Sequence, residues 1–268
     1  MAVERARLSE HVYASDKIPP VPAPEGWHQL TARELAGKGV TPDLLNDPKS
    51  GFKAALYESS FERPPKLVVA YAGTEDGPDW TTNLQQGIGV ETKQYNAAMN
   101  LADKVVKTTD ISKVDITGHS LGGGLASAAS VVTGAKGYTF NAAGLHPKTV
   151  ARAPYNVSAA NMQARGKGID AYHSAADPLT NLQSGVALAQ GPLHPYTLGP
   201  EALGVPYELN PAGQWHHAWG ELVSRHPLNA GTKMALDGHG VNPQLVDHIE
   251  HQKDQDTATL TRFVAAAP

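Results

Sequence analysis

The sequence predicts an α/β protein with a mostly parallel central sheet and helices on both faces. First, short apolar strands alternate with helical stretches, and the connections are long enough for crossovers between parallel strands. Second, a length of 268 residues suits one large α/β domain and is short for two. Third, residues 114–124 have the pattern of a strand, a tight turn and a helix of small residues.

Composition excludes several classes of protein. The formal net charge is −4 with no basic stretch, which argues against nucleic acid as a partner. Cysteine is absent, so disulfides, thiolate zinc sites and thiol nucleophiles are excluded. No apolar run reaches the length of about 18 residues that spans a bilayer, so we expect no transmembrane segment. Residues 1–17 lack the apolar core of a Sec signal peptide, so we expect none there.

The N-terminal residues 1–50 are expected to flank the core of one domain that spans residues 1–268. Within this flank, Thr31 and Glu34 have the spacing of a capping box, in which each side chain accepts a hydrogen bond from the other residue's backbone. This spacing predicts a short helix over residues 31–37.

Strands and helices are predicted in alternation from residue 52 onward. Residues 94–107 are predicted to form an amphipathic helix, because apolar side chains recur at helical spacing on one face. These side chains are Tyr95, Ala98, Met99, Ala102, Val105 and Val106. The predicted strands are residues 52–59, 66–71, 114–117, 137–140, 169–173 and 206–209. Further helices are predicted from 121 to about 132, within 147–165, at 215–225 and from about 243 to 264.

Residues 118–122 read Gly-His-Ser-Leu-Gly and match the nucleophile-elbow pattern G-x-S-x-G. In such an elbow the serine, here Ser120, lies on a sharp strand-to-helix turn that lifts its hydroxyl out of the backbone. Gly118 and Gly122 lack Cβ atoms, so strand and helix can pass close to each other. A plain glycine-rich turn would show the same letters. The β-branched strand before the motif and the small-residue helix after it favour the elbow, with Ser120 as the nucleophile.

A nucleophilic serine needs a histidine base and an acid that orients the base. In elbow folds the acid and then the histidine follow the serine along the chain. Asp177 fits the acid, because it lies just past the predicted strand at 169–173. An ordinary Asp-Pro turn is the structural alternative for Asp177. Asp170 is the rival acid, but its position inside the strand makes it less suited to face the site.

The base is less well defined, because the chain holds 12 histidines. His239 lies in a Gly-His-Gly loop just before the last predicted helix, where its ring could reach over the sheet edge. His217 and His216 are the alternatives. We favour His239, although spacing alone does not decide among the three.

Acyl transfer also requires backbone N–H donors for the oxyanion that forms on the attacked carbonyl. They come from the residue after the nucleophile and from an earlier strand-end loop. Leu121 follows Ser120 and supplies the first donor. Thr74 lies shortly after the strand at 66–71 and is the natural second, and its hydroxyl could add another donor.

Four sequence blocks together resemble the class 3, or fungal-type, lipase family. They are Tyr71-Ala72-Gly73-Thr74, Asp79-Trp80 with Asn83-Leu84, the elbow at 118–123, and Asp177-Pro178. The resemblance covers about residues 50–180, and the order of the blocks is more specific than the elbow alone. More narrowly, residues 50–57, residues 94–102 and the tail from His239 resemble bacterial phospholipase effectors, which are toxin-like lipases delivered by contact-dependent secretion systems.

This resemblance implies an α/β-hydrolase fold with a lid at residues 75–92 and a triad of Ser120, Asp177 and His239. It implies ester hydrolysis at a lipid interface, with membrane phospholipid as substrate, A1-type cleavage, and no cofactor or metal. It also implies export without a Sec signal peptide by a bacterial secretion system, from the cytoplasm of the producing cell, and an immunity protein as partner. The chain departs from the fungal enzymes in lacking disulfides and in its long Gly/Pro-rich stretch between the acid and the base.

Two alternatives stay open from the sequence. The first is an acylglycerol lipase or carboxylesterase. Apolar residues of the lid, such as Trp80 and Leu84, favour lipid, but the same residues could belong to a core. The second is a catalytically silent α/β-hydrolase scaffold that serves as a binding module. The presence of Ser120, Asp177 and Thr74 together argues against it.

Overall fold

The computed structural model describes residues 1–73, 93–174, 177–183, 200–209 and 249–250. The predicted lid at 75–92 and the predicted helix at 215–225 lie outside these ranges. Of the helix predicted from about 243 to 264, residues 249–250 are described and are helical.

The described residues form eight strands and seven α-helices. The strands are β1 (Trp27–Gln29), β2 (Asn46–Asp47), β3 (Phe52–Ser59), β4 (Leu67–Tyr71), β5 (Val114–His119), β6 (Lys136–Phe140), β7 (Ile169–Ser174) and β8 (Val205–Leu209). The helices are α1 (Ala2–His11), α2 (Ala32–Gly37), α3 (Lys93–Thr108), α4 (Leu121–Thr133), α5 (Pro147–Val150), α6 (Ala159–Gly166) and α7 (Pro178–Gln183). Within the described ranges, no helix has both the length and the apolar character that a bilayer span requires.

The strands form one sheet in the order β1-β3-β4-β5-β6-β7-β8, and β2 pairs with β3 beside it. Strands β4 to β8 are parallel, whereas β3 is antiparallel to both β1 and β4. The predicted mostly parallel sheet is therefore confirmed. Because parallel strands run in one direction, the residues that follow β4, β5 and β7 come to the same edge of the sheet.

Helices cover both faces of the sheet, as β4 shows most clearly. Successive side chains of a strand point to opposite faces. Val69 and Tyr71 enter the core that α3 and α4 pack, whereas Val68 and Ala70 enter the core that α1 packs. All five residues of β4 are buried. This burial on both sides explains why residues 67–71 form a continuous apolar run.

The apolar face predicted for residues 94–107 is confirmed in α3, where five of the six side chains are buried. The sixth, Val106, is partly buried and packs against the same core. The Tyr71 hydroxyl donates a 2.8 Å hydrogen bond to the Ala98 carbonyl and so links β4 to α3. Burial raises the pKa of Tyr71, which keeps this hydroxyl protonated as a donor.

The predicted capping box is confirmed at the start of α2. The Thr31 hydroxyl accepts a 3.4 Å hydrogen bond from the Glu34 N–H, and the Glu34 carboxylate accepts one of 2.7 Å from the Thr31 N–H. The bond from the Thr31 N–H is the main cause that lowers the pKa of Glu34. Both bonds satisfy backbone donors that the helix itself leaves unpaired.

The segment before Thr31 contains elements that the sequence analysis did not predict. Helix α1 packs along β5, and β1 extends the sheet beside β3. Arg5 of α1 is fully buried, and its Nε and Nη2 donate to Asp115 Oδ2 of β5 at 3.0 and 2.6 Å. The Lys66 ammonium lies 2.8 Å from the other carboxylate oxygen. The N-terminal segment is thus joined to the strand that carries the elbow.

Replacing Arg5 with Met is expected to lower the free energy of unfolding by about 3 kcal/mol, because removing one partner of a buried ion pair leaves the other charge poorly compensated. Lys66 remains beside Asp115 and still compensates part of its charge, so the expected loss of unfolding free energy stays near this value. Urea unfolding of both proteins measures the difference.

The matched control is Arg7→Met on the same helix. Arg7 pairs with Glu250 at 2.7 Å, but both side chains are nearly half exposed. This substitution is expected to change the free energy of unfolding by less than about 1 kcal/mol. Equal losses in the two variants would contradict a special role for the buried pair.

Candidate active site

Ser120 lies between the end of β5 and the start of α4, as the elbow pattern predicts. Its backbone has φ 58° and ψ −128°. A residue with a Cβ atom rarely adopts a positive φ, and such a conformation costs about 1–3 kcal/mol unless the surroundings enforce it. The structure therefore confirms that the elbow serine has a strained backbone.

Two glycines permit this turn because the chain segments around it nearly touch. A Cβ atom on Gly122 would overlap the carbonyl oxygen of Tyr71 in β4, and one on Gly118 would overlap the carbonyl oxygen of Gly122. Such overlaps allow no side chain. The close approach of β4, β5 and α4 brings the end of β4 against Ser120.

Hydrogen bonds hold the strained backbone of Ser120 on both sides. Its N–H donates to the Phe140 carbonyl at 3.1 Å. Its carbonyl accepts from the N–H groups of Gly123 and Ala143, both at 2.9 Å, and from Gly124 at 3.3 Å. These bonds link the elbow to β6 and to the residues that follow it. They stabilise a conformation that the isolated chain would avoid.

Of the two proposed oxyanion donors, the structure describes Leu121, which follows Ser120 directly. Leu121 is the first residue of α4, where backbone N–H groups have no acceptor within the helix. A Cβ atom on Gly73 would lie 3.3 Å from the Ser120 Cβ, so the chain that leaves β4 abuts Ser120. The Gly73 N–H donates to the Tyr13 hydroxyl at 2.8 Å. Thr74 comes next and lies outside the described residues.

Asp177 lies just beyond β7 and is fully buried. Its Oδ2 accepts hydrogen bonds from the Thr180 N–H at 2.8 Å and from the Thr180 hydroxyl at 2.6 Å. The Leu179 N–H lies 3.4 Å from Oδ1. These donors belong to the first turn of α7, so Asp177 caps this helix. A carboxylate that is fixed in this way is suited to orient a histidine. The same hydrogen bonds are also those of an ordinary helix cap after an Asp-Pro turn.

Ser120 and Asp177 lie at the same edge of the sheet, because β5 and β7 run parallel with β6 between them. Two strand spacings separate the ends of β5 and β7 by about 10 Å, which leaves room for an imidazole ring. Asn141 joins the ends of β6 and β7. Its N–H donates to the Tyr172 carbonyl, and its side-chain oxygen accepts from the Ser174 N–H, both at 2.9 Å.

The rival acid Asp170 is bound elsewhere. Its carboxylate lies 2.6 Å from the Lys136 ammonium at the start of β6. Asp170 is the second residue of β7, so it lies toward the amino end of the sheet, whereas Ser120 follows the carboxyl end of β5. The structure thus does not bring Asp170 to Ser120.

His239, His217 and His216 all lie outside the described residues, so the identity of the base stays a prediction. Among the described residues, no group of three or more His, Cys, Asp or Glu side chains is arranged to hold a metal ion. Sequence reasoning missed Tyr13 and Asn141, because neither stands in a recognisable motif and both act through contacts with distant parts of the chain.

The chain has an α/β-hydrolase fold. This fold is indicated by the strand order, by the elbow and by the sheet edge that Ser120 and Asp177 share. A family model described as phospholipase-like, Tle-like phospholipase domain, matches residues 4–213. The chain belongs to this family. The matched range includes Ser120 and Asp177, and it ends before His216.

One characterised lipid hydrolase also matches this chain in sequence. Extracellular phospholipase A1 of Serratia liquefaciens is 39% identical over 163 residues, which are 61% of this chain and 50% of the relative. The chain thus matches about half the length of this relative.

Two solved lipases have a weaker likeness to the structure. Lip2 lipase of Yarrowia lipolytica aligns with a TM-score of 0.41 and 13% identity, over 67% of this chain and 72% of Lip2. The extracellular lipase LipA of Serratia marcescens has the same TM-score and identity, over 81% of this chain and 37% of LipA. At these values the likeness carries no weight beside the strand order and the elbow.

The strain at Ser120 predicts an unusual order of stability for two variants. Ser120→Gly is expected to be more stable than Ser120→Ala by about 1 kcal/mol, because glycine relieves a positive φ that alanine retains. The two variants lack the same hydroxyl, so the comparison isolates the backbone. Urea unfolding of both proteins measures it.

Ser127 in the middle of α4 provides the control. There the order should reverse, with the glycine variant about 1 kcal/mol less stable than the alanine variant. If alanine were the more stable residue at both positions, the strain at Ser120 would be refuted.

Proposed function

We propose that this protein is a serine-dependent lipid ester hydrolase that cleaves membrane phospholipid, with A1-type cleavage as the reaction. The single observation that carries the proposal is the strained elbow at Ser120 in a chain of the Tle-like phospholipase family. The likeness to a relative named phospholipase A1 supports the substrate class and the cleavage position. An α/β-hydrolase fold alone would support neither, because many unrelated activities share it.

In the proposed reaction, His239 accepts the proton of Ser120, and the Ser120 oxygen attacks the acyl ester carbonyl. The N–H groups of Leu121 and Thr74 bind the oxyanion. The histidine then donates its proton to the leaving alcohol. Water, activated by the same histidine, releases the fatty acid from the acyl-enzyme. Asp177 orients the ring and stabilises the imidazolium.

The geometry around Ser120 and Asp177 supports this proposal. The Gly73 N–H is already bound to the Tyr13 hydroxyl, so a second oxyanion donor from this loop has to come from Thr74 or beyond. Asp177 is buried at the same sheet edge as Ser120 and is held by the first turn of α7. A buried, fixed carboxylate is suited to hold an imidazole in one orientation.

We propose further that residues 1–268 act as one domain with a lid at residues 75–92. The contacts of α1 with β5 support the inclusion of residues 1–50, because a separate flank would not bury a charged residue against the central sheet. The lid proposal rests on the resemblance to fungal-type lipases.

The protein is proposed to act outside the cell that makes it. The word "extracellular" in the name of the Serratia liquefaciens relative supports secretion. Delivery by a secretion system without a Sec signal peptide, and an immunity protein that blocks the site, are proposed from the resemblance to phospholipase effectors alone.

Product analysis by mass spectrometry tests the activity. Vesicles of phosphatidylethanolamine and phosphatidylglycerol with different acyl chains at the two positions should release the sn-1 chain with the wild-type protein. They should release none with Ser120→Ala, because the acyl-enzyme cannot form.

The matched control is Ser130→Ala in α4, whose buried hydroxyl has no hydrogen-bond partner among the described residues, and it should retain full activity. Release of the sn-2 chain would overturn the cleavage position. Turnover of a soluble ester without release from vesicles would support a carboxylesterase. No turnover and no labelling of Ser120 by a fluorophosphonate would support a silent binding module.

Substitution of each histidine by alanine tests the assignment of the base. His239→Ala is expected to lower kcat for a short soluble ester by at least about a hundredfold, since general-base catalysis contributes about 10²–10⁴-fold. His217→Ala and His216→Ala are expected to leave kcat nearly unchanged. A large loss in either of these two, with His239→Ala active, would transfer the role to that residue.

A further inference from the structure

Three polar contacts connect the N-terminal helix to the nucleophile strand at matching intervals. On the N-terminal side the contacting residues are spaced four apart and start at Arg5. On β5 their partners are spaced two apart and start at Asp115. Four helical residues advance about 6 Å and two strand residues advance about 6.7 Å, so the two spacings are nearly equal in length. We call this set the polar ladder, and its pairs are Arg5–Asp115, Ser9–Thr117 and Tyr13–His119.

The first two pairs attach the helix at a distance from the elbow. Arg5 and Asp115 form the buried ion pair near the start of β5. The hydroxyls of Ser9 and Thr117 lie 2.7 Å apart, and each also lies within 3.2 Å of the Arg5 carbonyl. Both pairs are buried, so they stabilise the packing of α1 on β5. Neither touches the backbone beside Ser120 in the described contacts.

The third pair reaches the site itself. Tyr13 lies in the 3₁₀ turn that continues α1. Its hydroxyl accepts the 2.8 Å hydrogen bond from the Gly73 N–H and lies 3.4 Å from His119 Nδ1. The Tyr13 carbonyl accepts a 3.1 Å hydrogen bond from the Lys53 ammonium, which fixes the tyrosine backbone against β3. Tyr13 therefore joins the residue before Ser120 to the chain that leaves β4.

We propose that Tyr13 is a positioning residue for the oxyanion side of the active site. Its hydroxyl fixes the backbone of Gly73 against Ser120, and Gly73 immediately precedes the proposed oxyanion donor Thr74. Glycine has few intrinsic backbone preferences, so an external hydrogen bond at this position restricts the direction in which the next N–H points. Without the hydroxyl, the buried Gly73 N–H would lose its acceptor. This proposal rests on the proposed hydrolase function.

The test is Tyr13→Phe, which removes one oxygen atom and retains the ring. Steady-state kinetics with a short soluble ester should show that kcat falls at least about tenfold while KM stays within about twofold, because a misplaced donor weakens transition-state binding alone. The rate at which a fluorophosphonate labels Ser120 should fall in parallel, since that reaction also forms a charged oxygen at the oxyanion site.

Tyr57→Phe is the matched control. The Tyr57 hydroxyl is buried and lies 2.8 Å from His11 Nδ1, so this variant loses the same group against the same helix but away from Ser120. Both variants are expected to unfold at lower urea concentration than the wild type, and only Tyr13→Phe should lose kcat. This difference separates positioning from a general effect on stability.

Three outcomes decide the proposal. A loss of kcat in Tyr13→Phe, with normal kcat in Tyr57→Phe, supports it. Wild-type kcat and labelling rate in Tyr13→Phe overturn it and leave the proposed hydrolase intact. An inactive wild-type protein, with no labelling of Ser120, overturns the proposed function and this inference together.

Discussion

The close approach of β4, β5 and α4 is the constraint on which the site depends. Because Gly118 and Gly122 have no side chain, the strand and the helix can come close enough to form the turn that places Ser120 at a positive φ. The same approach places Gly73 against Ser120. One packing requirement therefore sets both the backbone conformation of Ser120 and the proximity of the loop that is proposed to bind the oxyanion.

A strained residue persists only where its neighbours enforce the strain. Around Ser120 this enforcement comes from β6 through the Phe140 carbonyl and from the Gly123 and Ala143 N–H groups. From the opposite face of the sheet, the polar ladder attaches α1 to β5. Buried polar contacts of this kind stabilise little relative to apolar packing, but they disfavour shifts in register between a helix and a strand. The site thus has supports on both faces of the sheet.

Local patterns in the sequence were enough to predict much of this architecture. The elbow, the apolar face of α3 and the capping box of α2 each depend on residues within a few positions of one another, so their spacing alone predicted them. Helix α1 and the 3₁₀ turn after it were missed because their polar residues Arg5, Ser9 and Tyr13 resemble a solvated face. These residues bind partners more than one hundred positions away in β5, or at Gly73, and no local pattern reports such partners.

The family model matches residues 4–213, a range that contains most of the N-terminal helix and none of the three candidate bases. It begins at residue 4, one position before Arg5, and includes most of α1 with all eight strands. Most of the N-terminal helix is therefore matched together with the elbow. It ends at residue 213, before His216, His217 and His239. The parallel sheet thus places Ser120 and Asp177, the proposed nucleophile and acid, at one edge, whereas the base is proposed from a later part of the chain. Since a histidine needs only to reach the edge between β5 and β7, sheet topology constrains its sequence position weakly.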